Sequence, residues 1–136
     1  MTSDASSGPA GVRPSTMLVV DGANVVGSVP DGWWRDRRAA AERLRDRLES
    51  VADTGLDGLP GPLDVILVVE GRARGIAPGT SVRVVDAPAS GDDAIVDVVA
   101  GSPPGHVCVV VTADRELRTR VRELGAQTVG PSAVPR

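Results

Sequence analysis

The sequence predicts an α/β fold: a three-layer α/β/α sandwich with a mostly parallel central sheet. The runs at 65–69 and 107–111 are apolar throughout, which is typical of strands buried on both faces of a parallel sheet. Amphipathic helical segments alternate with such runs and indicate strand–helix–strand units. A length of 136 residues with 41% hydrophobic residues suits one domain with its own core. We therefore expect one domain over residues 17–130, with flexible tails at 1–16 and 131–136 that are rich in Gly, Pro and Ser.

The first half of the chain contains two predicted strands joined by a long helix. Residues 17–20 form an apolar strand, which an Asp-Gly turn and a loop connect to a helix at about 32–53. That helix carries an apolar stripe at helical spacing, made of Ala41, Leu44, Leu48 and Val51. The turn-rich stretch 54–62 leads to the second strand at 65–69.

The second half repeats this alternation with shorter elements. A short strand at 82–85 precedes a helix that begins at Ser90 and ends before the Gly- and Pro-rich stretch 101–105. Residues 107–111 form the next buried strand, and 127–129 form a final edge strand. Between them, a helix at 114–124 directs three apolar side chains inward, namely Leu117, Val121 and Leu124.

The composition excludes several kinds of chemistry. All 15 basic residues are arginines, so a phosphate-binding loop that needs lysine and Schiff-base catalysis are both excluded. The single cysteine, Cys108, lies in an apolar run and predicts a buried structural thiol, with no disulfide or zinc framework. No apolar stretch approaches 18 residues, and the N-terminus lacks the layout of a secretory signal. We therefore expect a cytoplasmic protein with no membrane role.

Acidic residues follow the predicted strands at one edge of the sheet. Asp21 and Glu70 end the first two strands and Asp114 follows a later one, while Asp92 and Asp93 open a helix at the same edge. Neighbouring strands lie only about 4.8 Å apart, so these carboxylates would repel one another unless a cation neutralised them. Oxygen ligands of this kind select Mg²⁺ or Mn²⁺, and a metal-activated water would then be the nucleophile.

Each acid also has a simpler interpretation. Asp21-Gly22 fits a turn, Asp114 fits a helix cap, and Ser90 with Asp93 fits a capping box. Capping does not explain why both Asp21 and Glu70 end apolar strands at one edge, so we favour the metal site. The only histidine, His106, precedes its strand and falls at the opposite edge.

These motifs resemble the NYN domain of the PIN-like ribonuclease superfamily, particularly bacterial NYN-domain proteins. The resemblance spans about residues 17–130 and rests on Asp21-Gly22-Ala23-Asn24, Ser90-Gly91-Asp92-Asp93-Ala94-Ile95 and Thr112-Ala113-Asp114-Arg115. It implies a PIN-like, Rossmann-like fold and metal ligands at Asp21, Asp92, Asp93 and Asp114. Glu70 is a fifth candidate ligand, which comes from its position at a strand end and not from the resemblance. It also implies that Asn24 and Thr112 support the metal or the substrate, and that the substrate is RNA.

Arginines near this edge are candidates for binding phosphates, namely Arg72, Arg74, Arg115 and Arg118. The predicted function is therefore metal-dependent endoribonuclease activity on single-stranded or structured RNA. The alternatives are a metal-dependent nucleotide or phosphoester hydrolase and a non-catalytic RNA- or protein-binding module. Two protein partners stay open, a second copy of the chain and an antitoxin-like protein. Trp33 and Trp34 either stack on a base or pack the helix onto the sheet.

Overall fold

Five parallel strands form the centre of the computed structural model, which describes residues 14–135. Two further short strands form a separate antiparallel pair. The strands are β1 Thr16–Asp21, β2 Gly55–Leu56, β3 Leu59–Pro60, β4 Asp64–Val69, β5 Val82–Asp86, β6 Val107–Val111 and β7 Gln127–Val129. The α-helices are α1 Gly22–Gly27, α2 Arg37–Thr54, α3 Gly91–Ala100 and α4 Arg115–Glu123.

Strand β1 lies at the middle of the sheet, whose order is β5-β4-β1-β6-β7. Val19 is in register with Ile66 of β4 on one side and with Val110 of β6 on the other. The chain moves outward from β1 through β4 to β5, and then crosses back to β6 and β7. The carboxyl ends of β1, β4 and β6 therefore meet where the connections diverge, which is where open α/β sheets bind ligands.

Alternate side chains of each strand enter different cores, because successive side chains of a strand point to opposite faces. Leu18 and Val20 pack in a core with residues of α1 and α2, including Leu44 and Leu48. Met17 and Val19 pack in a second core with residues of α3 and α4. The predicted three-layer α/β/α sandwich is thus confirmed, and the sheet is parallel throughout. No helix among residues 14–135 has both the length and the apolar character needed to cross a membrane.

The chain between β1 and α2 is more helical than predicted. Where a turn and a loop were expected, α1 begins directly after β1, with Asp21 as its N-cap. The helix expected from residue 32 is interrupted, since Trp33–Arg35 form a separate 3-10 turn and α2 begins at Arg37. Asp36 causes the break: its extended backbone ends the turn, and its carboxylate accepts a hydrogen bond from the N–H of Ala39 at 3.0 Å.

Two other expectations need correction. The connector at 54–62 contains the β2–β3 hairpin. Leu124, expected to point inward, is 48% exposed, because α4 ends one residue before it. Gly125 then adopts a φ of 91°, and the N–H groups of Gly125 and Ala126 donate to the carbonyls of Arg122 and Val121, a Schellman ending.

The packed chain extends beyond residue 130. Pro131–Ala133 form a 3-10 turn, and Val134 is buried in the core beside α2. The other predicted tail lies largely outside the described residues, of which Pro14 is the first, and Thr16 already belongs to β1.

Gly22 is the position where a side chain would separate α1 from the sheet. A Cβ there would lie 2.6 Å from the carbonyl oxygen of Val68, a backbone atom of β4. We predict that Gly22→Ala lowers the free energy of unfolding by about 1–3 kcal/mol in urea titrations, because the helix must shift. Gly27→Ala is the matched control in the same helix, since its Cβ would meet only the Trp33 ring at 3.9 Å. Equal effects of the two substitutions would contradict this account.

Candidate functional site

Asp21 is a buried carboxylate at the centre of the sheet's carboxyl edge. Only 5% of the residue is exposed. Its Oδ2 accepts a hydrogen bond from Thr112 Oγ1 at 2.9 Å, and its Oδ1 accepts one from the N–H of Asn24 at 3.3 Å. Both oxygens therefore have donors, as a buried charge requires. The simpler interpretation of Asp21-Gly22 was a turn, whereas the structure makes Asp21 the N-cap of α1, and this role coexists with its position in the acidic cluster.

Thr112 and Asn24 tie the start of α1 to the loop between β6 and α4. The Thr112 hydroxyl donates to Asp21 and accepts from the N–H of Asp114 at 3.1 Å. Asn24 Oδ1 accepts from the N–H of Ala113 at 2.9 Å. Arg118 Nε donates to the Thr112 carbonyl at 2.7 Å, which fixes the same loop from α4. These contacts hold Asp21 and Asp114 on a rigid frame.

Four acids form one electrostatic cluster, namely Asp21, Glu70, Asp92 and Asp114. Burial raises the pKa of Asp21 above its ordinary value of 3.8, while the hydrogen bonds from Thr112 and Asn24 lower it. The negative charges of Asp92 and Glu70 raise it again. Asp21, predicted from its strand end, is thus coupled to acids that follow it by 49 and more residues in the chain.

Asp92 interacts electrostatically with each of the other three acids of the cluster. Burial raises its pKa first, followed by the charges of Asp114 and Glu70, while Arg120 lowers it. The Glu70 side chain lies against the start of α3, since a Cβ at Gly91 would lie 2.9 Å from Glu70 Oε1. Gly91 therefore lets the first turn of α3 approach the end of β4, which brings Asp92 beside Glu70.

Asp93 lies on the outer side of the same helical turn. Its carboxylate accepts a hydrogen bond from Arg120 of α4 at 3.0 Å, and 68% of its side chain is exposed. Its N–H donates to Ser90 Oγ at 3.3 Å, the cap of α3. Asp114 also has a capping contact, since its Oδ1 accepts from the N–H of Leu117 at 2.9 Å. The structure therefore groups Asp92 with the other acids and pairs Asp93 with an arginine.

The donor chemistry of the cluster suits Mg²⁺ or Mn²⁺, because its side chains offer carboxylate oxygens, and their negative charges contribute to the raised pKa of Asp21 and of Asp92. A cation would relieve that repulsion. Within residues 14–135, no three acidic, histidine or cysteine side chains converge as a ready metal site. The metal ligands predicted from the sequence consequently stay predictions.

The predicted phosphate-binding arginines differ in their surroundings. Arg72 and Arg115 are exposed, and Arg74 is exposed with its Nε donating to the carbonyl of Gly71 at 3.2 Å. Arg118 is half-buried, and its Nε supports Thr112, so it positions the site. His106 immediately precedes β6, at the amino edge of the sheet, as expected.

Sequence reasoning missed a cavity of about 330 Å³ beside the acids. The residues that line it include Gly22 and Glu70 together with Trp33 and Arg37. The run Trp33-Trp34-Arg35-Asp36-Arg37 was a signal in the sequence, but its meaning depended on the break between the 3-10 turn and α2. That break turns Trp33 and Arg37 toward one cavity.

The fold and the site together define a three-layer α/β domain with acids gathered at the carboxyl edge of its sheet. Solved structures that share this fold include Rae1 (YacP) from Bacillus subtilis, with a TM-score of 0.70 and 20% identity over 86% of this chain and 70% of that chain. A mutant of the same protein matches with a TM-score of 0.65 and 18% identity over 88% and 72% of the two chains. No protein-family model and no curated protein sequence matches the chain.

Asp92→Asn tests the repulsion within the cluster. We predict that it raises the free energy of unfolding at neutral pH by less than about 1 kcal/mol, since Asp92 is partly exposed and solvent screens its charge. Asp93→Asn is the matched control in the same helical turn, and it should be neutral or destabilising because it removes the ion pair with Arg120. Melting curves of the three proteins measure this, and a stabilised Asp93 variant with an unchanged Asp92 variant would contradict it.

The effect of Asp92→Asn on stability should depend on pH with a defined sign. A carboxyl whose pKa is raised by folding favours the folded state below its unfolded value and loses that contribution as the pH rises through its folded pKa. Asp92 has such a raised pKa. The advantage of Asp92→Asn should therefore be present at neutral pH and disappear as the pH falls toward the ordinary value of 3.8. An advantage that grows on acidification would exclude charge repulsion as its cause.

Thr112→Val tests the frame around Asp21. The variant keeps the shape of the buried side chain but leaves the Asp21 carboxylate and the Asp114 N–H without their partner. We predict a loss of about 1–3 kcal/mol in the free energy of unfolding. Thr119→Val in α4 is the control, because Thr119 is exposed and its hydroxyl contacts only the Arg115 carbonyl of the same helix. Similar losses in both variants would argue against a special role for Thr112.

Proposed function

We propose that the chain is a divalent-metal-dependent endoribonuclease, which hydrolyses RNA phosphodiester bonds and leaves a 5′-phosphate. The observation that carries the proposal is the buried Asp21 carboxylate, which is fixed at the sheet's carboxyl edge and coupled to Glu70 and Asp92. Asp92 is in turn coupled to Asp114. Such a concentration of negative charge is unfavourable for a binding site that holds phosphates, unless a cation lies between them.

The metal would be held by Asp21, Asp92 and Asp114, with Glu70 beside them. Of the acid pair that opens α3, Asp92 suits the role of ligand, because Asp93 is engaged by Arg120. A bound Mg²⁺ or Mn²⁺ would activate water at neutral pH and offset charge on the phosphoryl group. Thr112 and Asn24 orient the Asp21 carboxylate, and Arg118 keeps Thr112 in place.

RNA as the substrate is supported by the resemblance to NYN domains and by exposed cations near the acids. Arg72 follows β4 by way of Glu70, and Arg115 opens α4. Both guanidinium groups are free to bind phosphate oxygens, since no salt bridge within residues 14–135 involves them. The likeness to Rae1 supports the fold on which this site is built.

A cleavage assay tests the proposal. Purified protein is incubated with single-stranded and structured RNA in Mg²⁺ or Mn²⁺, beside Asp21→Asn and Asp114→Asn. We predict that each substitution lowers the cleavage rate more than about 100-fold, beyond the 10–100-fold typical of groups that only support a metal ligand. Asp97→Asn, an exposed position on α3, is the control and should cut at the wild-type rate.

Two outcomes would refute a nuclease. One is cleavage at equal rates by the wild type and both Asn variants, which would indicate a contaminant. The other is the absence of cleavage with both Mg²⁺ and Mn²⁺. Nucleoside triphosphates assayed in parallel address the alternative of a nucleotide hydrolase, which would release phosphate while leaving RNA intact.

A further inference from the structure

A cavity with an aromatic wall lies next to the acidic cluster. It is bounded by α1, by the 3-10 turn that holds Trp33, by the start of α2 and by the turn after β4. Its volume of about 330 Å³ is in the range of small-ligand sites. Apolar side chains supply most of the lining, namely Ala23, Val26, Trp33, Ala41, Val69 and Ala73. Glu70 and Arg37 supply the charged groups. A flat, mostly apolar ligand with polar edges suits this lining.

A basic depression of about 400 Å³ adjoins the cavity and shares Arg37 with it. Four arginines and one aspartate line it together with Trp34, namely Arg35, Arg37, Arg38, Arg72 and Asp36. The guanidinium of Arg37 lies 5.4 Å from the centre of the Trp33 ring, and that of Arg35 lies 5.8 Å from the centre of the Trp34 ring. The two rings meet edge to face at 6.0 Å. Stacked guanidinium groups are thereby held in place with their N–H edges available.

Three of these arginines lack an acidic partner. Within residues 14–135, no salt bridge involves Arg35, Arg37 or Arg72. Arg38 is occupied, since it donates to the carbonyls of Arg74 and Gly75 at 2.7 and 3.3 Å. The Asp36 carboxylate accepts from the N–H of Ala39 and serves as the cap of α2. The single negative charge of Asp36 is outnumbered by the four arginines, so the depression stays positive within the described residues.

We propose that this Trp–Arg surface, made of Trp33, Arg35, Arg37 and Arg72 with its cavity, binds single-stranded polynucleotide beside the acidic cluster. One base enters the cavity against Trp33, and the adjoining phosphates lie on the three unpaired arginines. The inference rests on the proposed function, because Glu70 belongs both to the cavity and to the acidic cluster.

The shape of the surface favours a single strand over other occupants. A base inside a duplex has both faces covered by its neighbours and cannot enter a cavity. An acidic peptide would satisfy the arginines and leave the apolar lining next to Trp33 unused. A free nucleotide would fill the cavity but engage few of the arginines.

Intrinsic fluorescence reports on this surface directly. The chain has two tryptophans and no tyrosine, so the emission comes from Trp33 and Trp34 alone. The full chain is titrated with a short oligouridylate in EDTA, which prevents cleavage. We expect the emission to be quenched, and Trp34→Leu, which leaves Trp33 as the only fluorophore, to retain the quenching. Trp33→Leu should bind about 5- to 150-fold more weakly, the range for loss of one stacked base. Equal affinities of Trp33→Leu and the wild type would overturn the base site.

The arginines have a separate readout in the dependence of affinity on salt. Each phosphate contact on a single strand contributes about 0.7 to the slope of log affinity against log salt. Arg37→Gln and Arg72→Gln should each reduce that slope by about this amount. Arg122→Gln is the matched control, since Arg122 is an exposed arginine near the end of α4 that does not line the surface. Both arginine positions are exposed, so these variants test the surface even if Trp33→Leu does not fold.

Two competitors complete the experiment. Duplex RNA of the same length and polyglutamate should both bind more weakly than oligouridylate at equal salt. Tighter binding of either would overturn the proposal, in favour of a double-stranded or a protein partner. Failure here is distinguishable from failure of the proposed function: binding in EDTA without cleavage in metal refutes the nuclease alone. Cleavage that is insensitive to Trp33→Leu, Arg37→Gln and Arg72→Gln refutes this surface alone.

Discussion

Burial of the Asp21 carboxylate is the constraint on which the site depends. An ionised carboxylate withdrawn from water is costly unless donors replace the lost hydration. Those donors come from α1, through the Asn24 N–H, and from the residue after β6, through the Thr112 hydroxyl. The Asn24 contact is local, because α1 follows β1 directly, whereas Thr112 reaches Asp21 because β6 is a parallel neighbour of β1. The parallel pairing of β1 with β4 and β6 also places Glu70 and Asp114 at that edge. One topology therefore supplies a donor to the buried carboxylate and brings the other acids near it.

The acids at this edge also begin helices, and the two roles are compatible. Asp21 caps α1 and Asp114 caps α4, each through one oxygen. A capping contact uses only part of what a carboxylate can accept, so lone pairs remain for a ligand. Capping in addition fixes the side chain, which favours a preorganised site. Within residues 14–135, Asp92 makes no such contact, and its pKa is raised first by burial and then by the charges of Asp114 and Glu70. Charged groups that lower stability and make no compensating structural contact are typical of functional sites.

Much of the fold was predictable, because apolar runs and helical stripes are local patterns. The strand at 107–111 was predicted with its observed bounds, and Ala41, Leu44, Leu48 and Val51 are buried as expected. The predictions that were wrong concern places where a single residue overrides the local sequence pattern. The Asp36 cap interrupts one helix, and the Schellman ending after α4 leaves Leu124 exposed. At the site, strand ends pointed to Asp21, Glu70 and Asp114. The pairing of Asp93 with Arg120 was not predictable, since it depends on how α3 and α4 pack.

The net charge of −3 conceals an uneven distribution that bears on substrate binding. Acids gather around Asp21, whereas unpaired arginines gather around Trp33, and Gly22 and Glu70 lie on the boundary between them. A polyanion is attracted to the second region and repelled by the first until a cation neutralises it. Binding of a strand and binding of a metal would then reinforce each other, because the ion removes the repulsion that the strand meets. A chain without lysine could achieve this, since stacked arginines would hold phosphates while the acids would stay free for the ion.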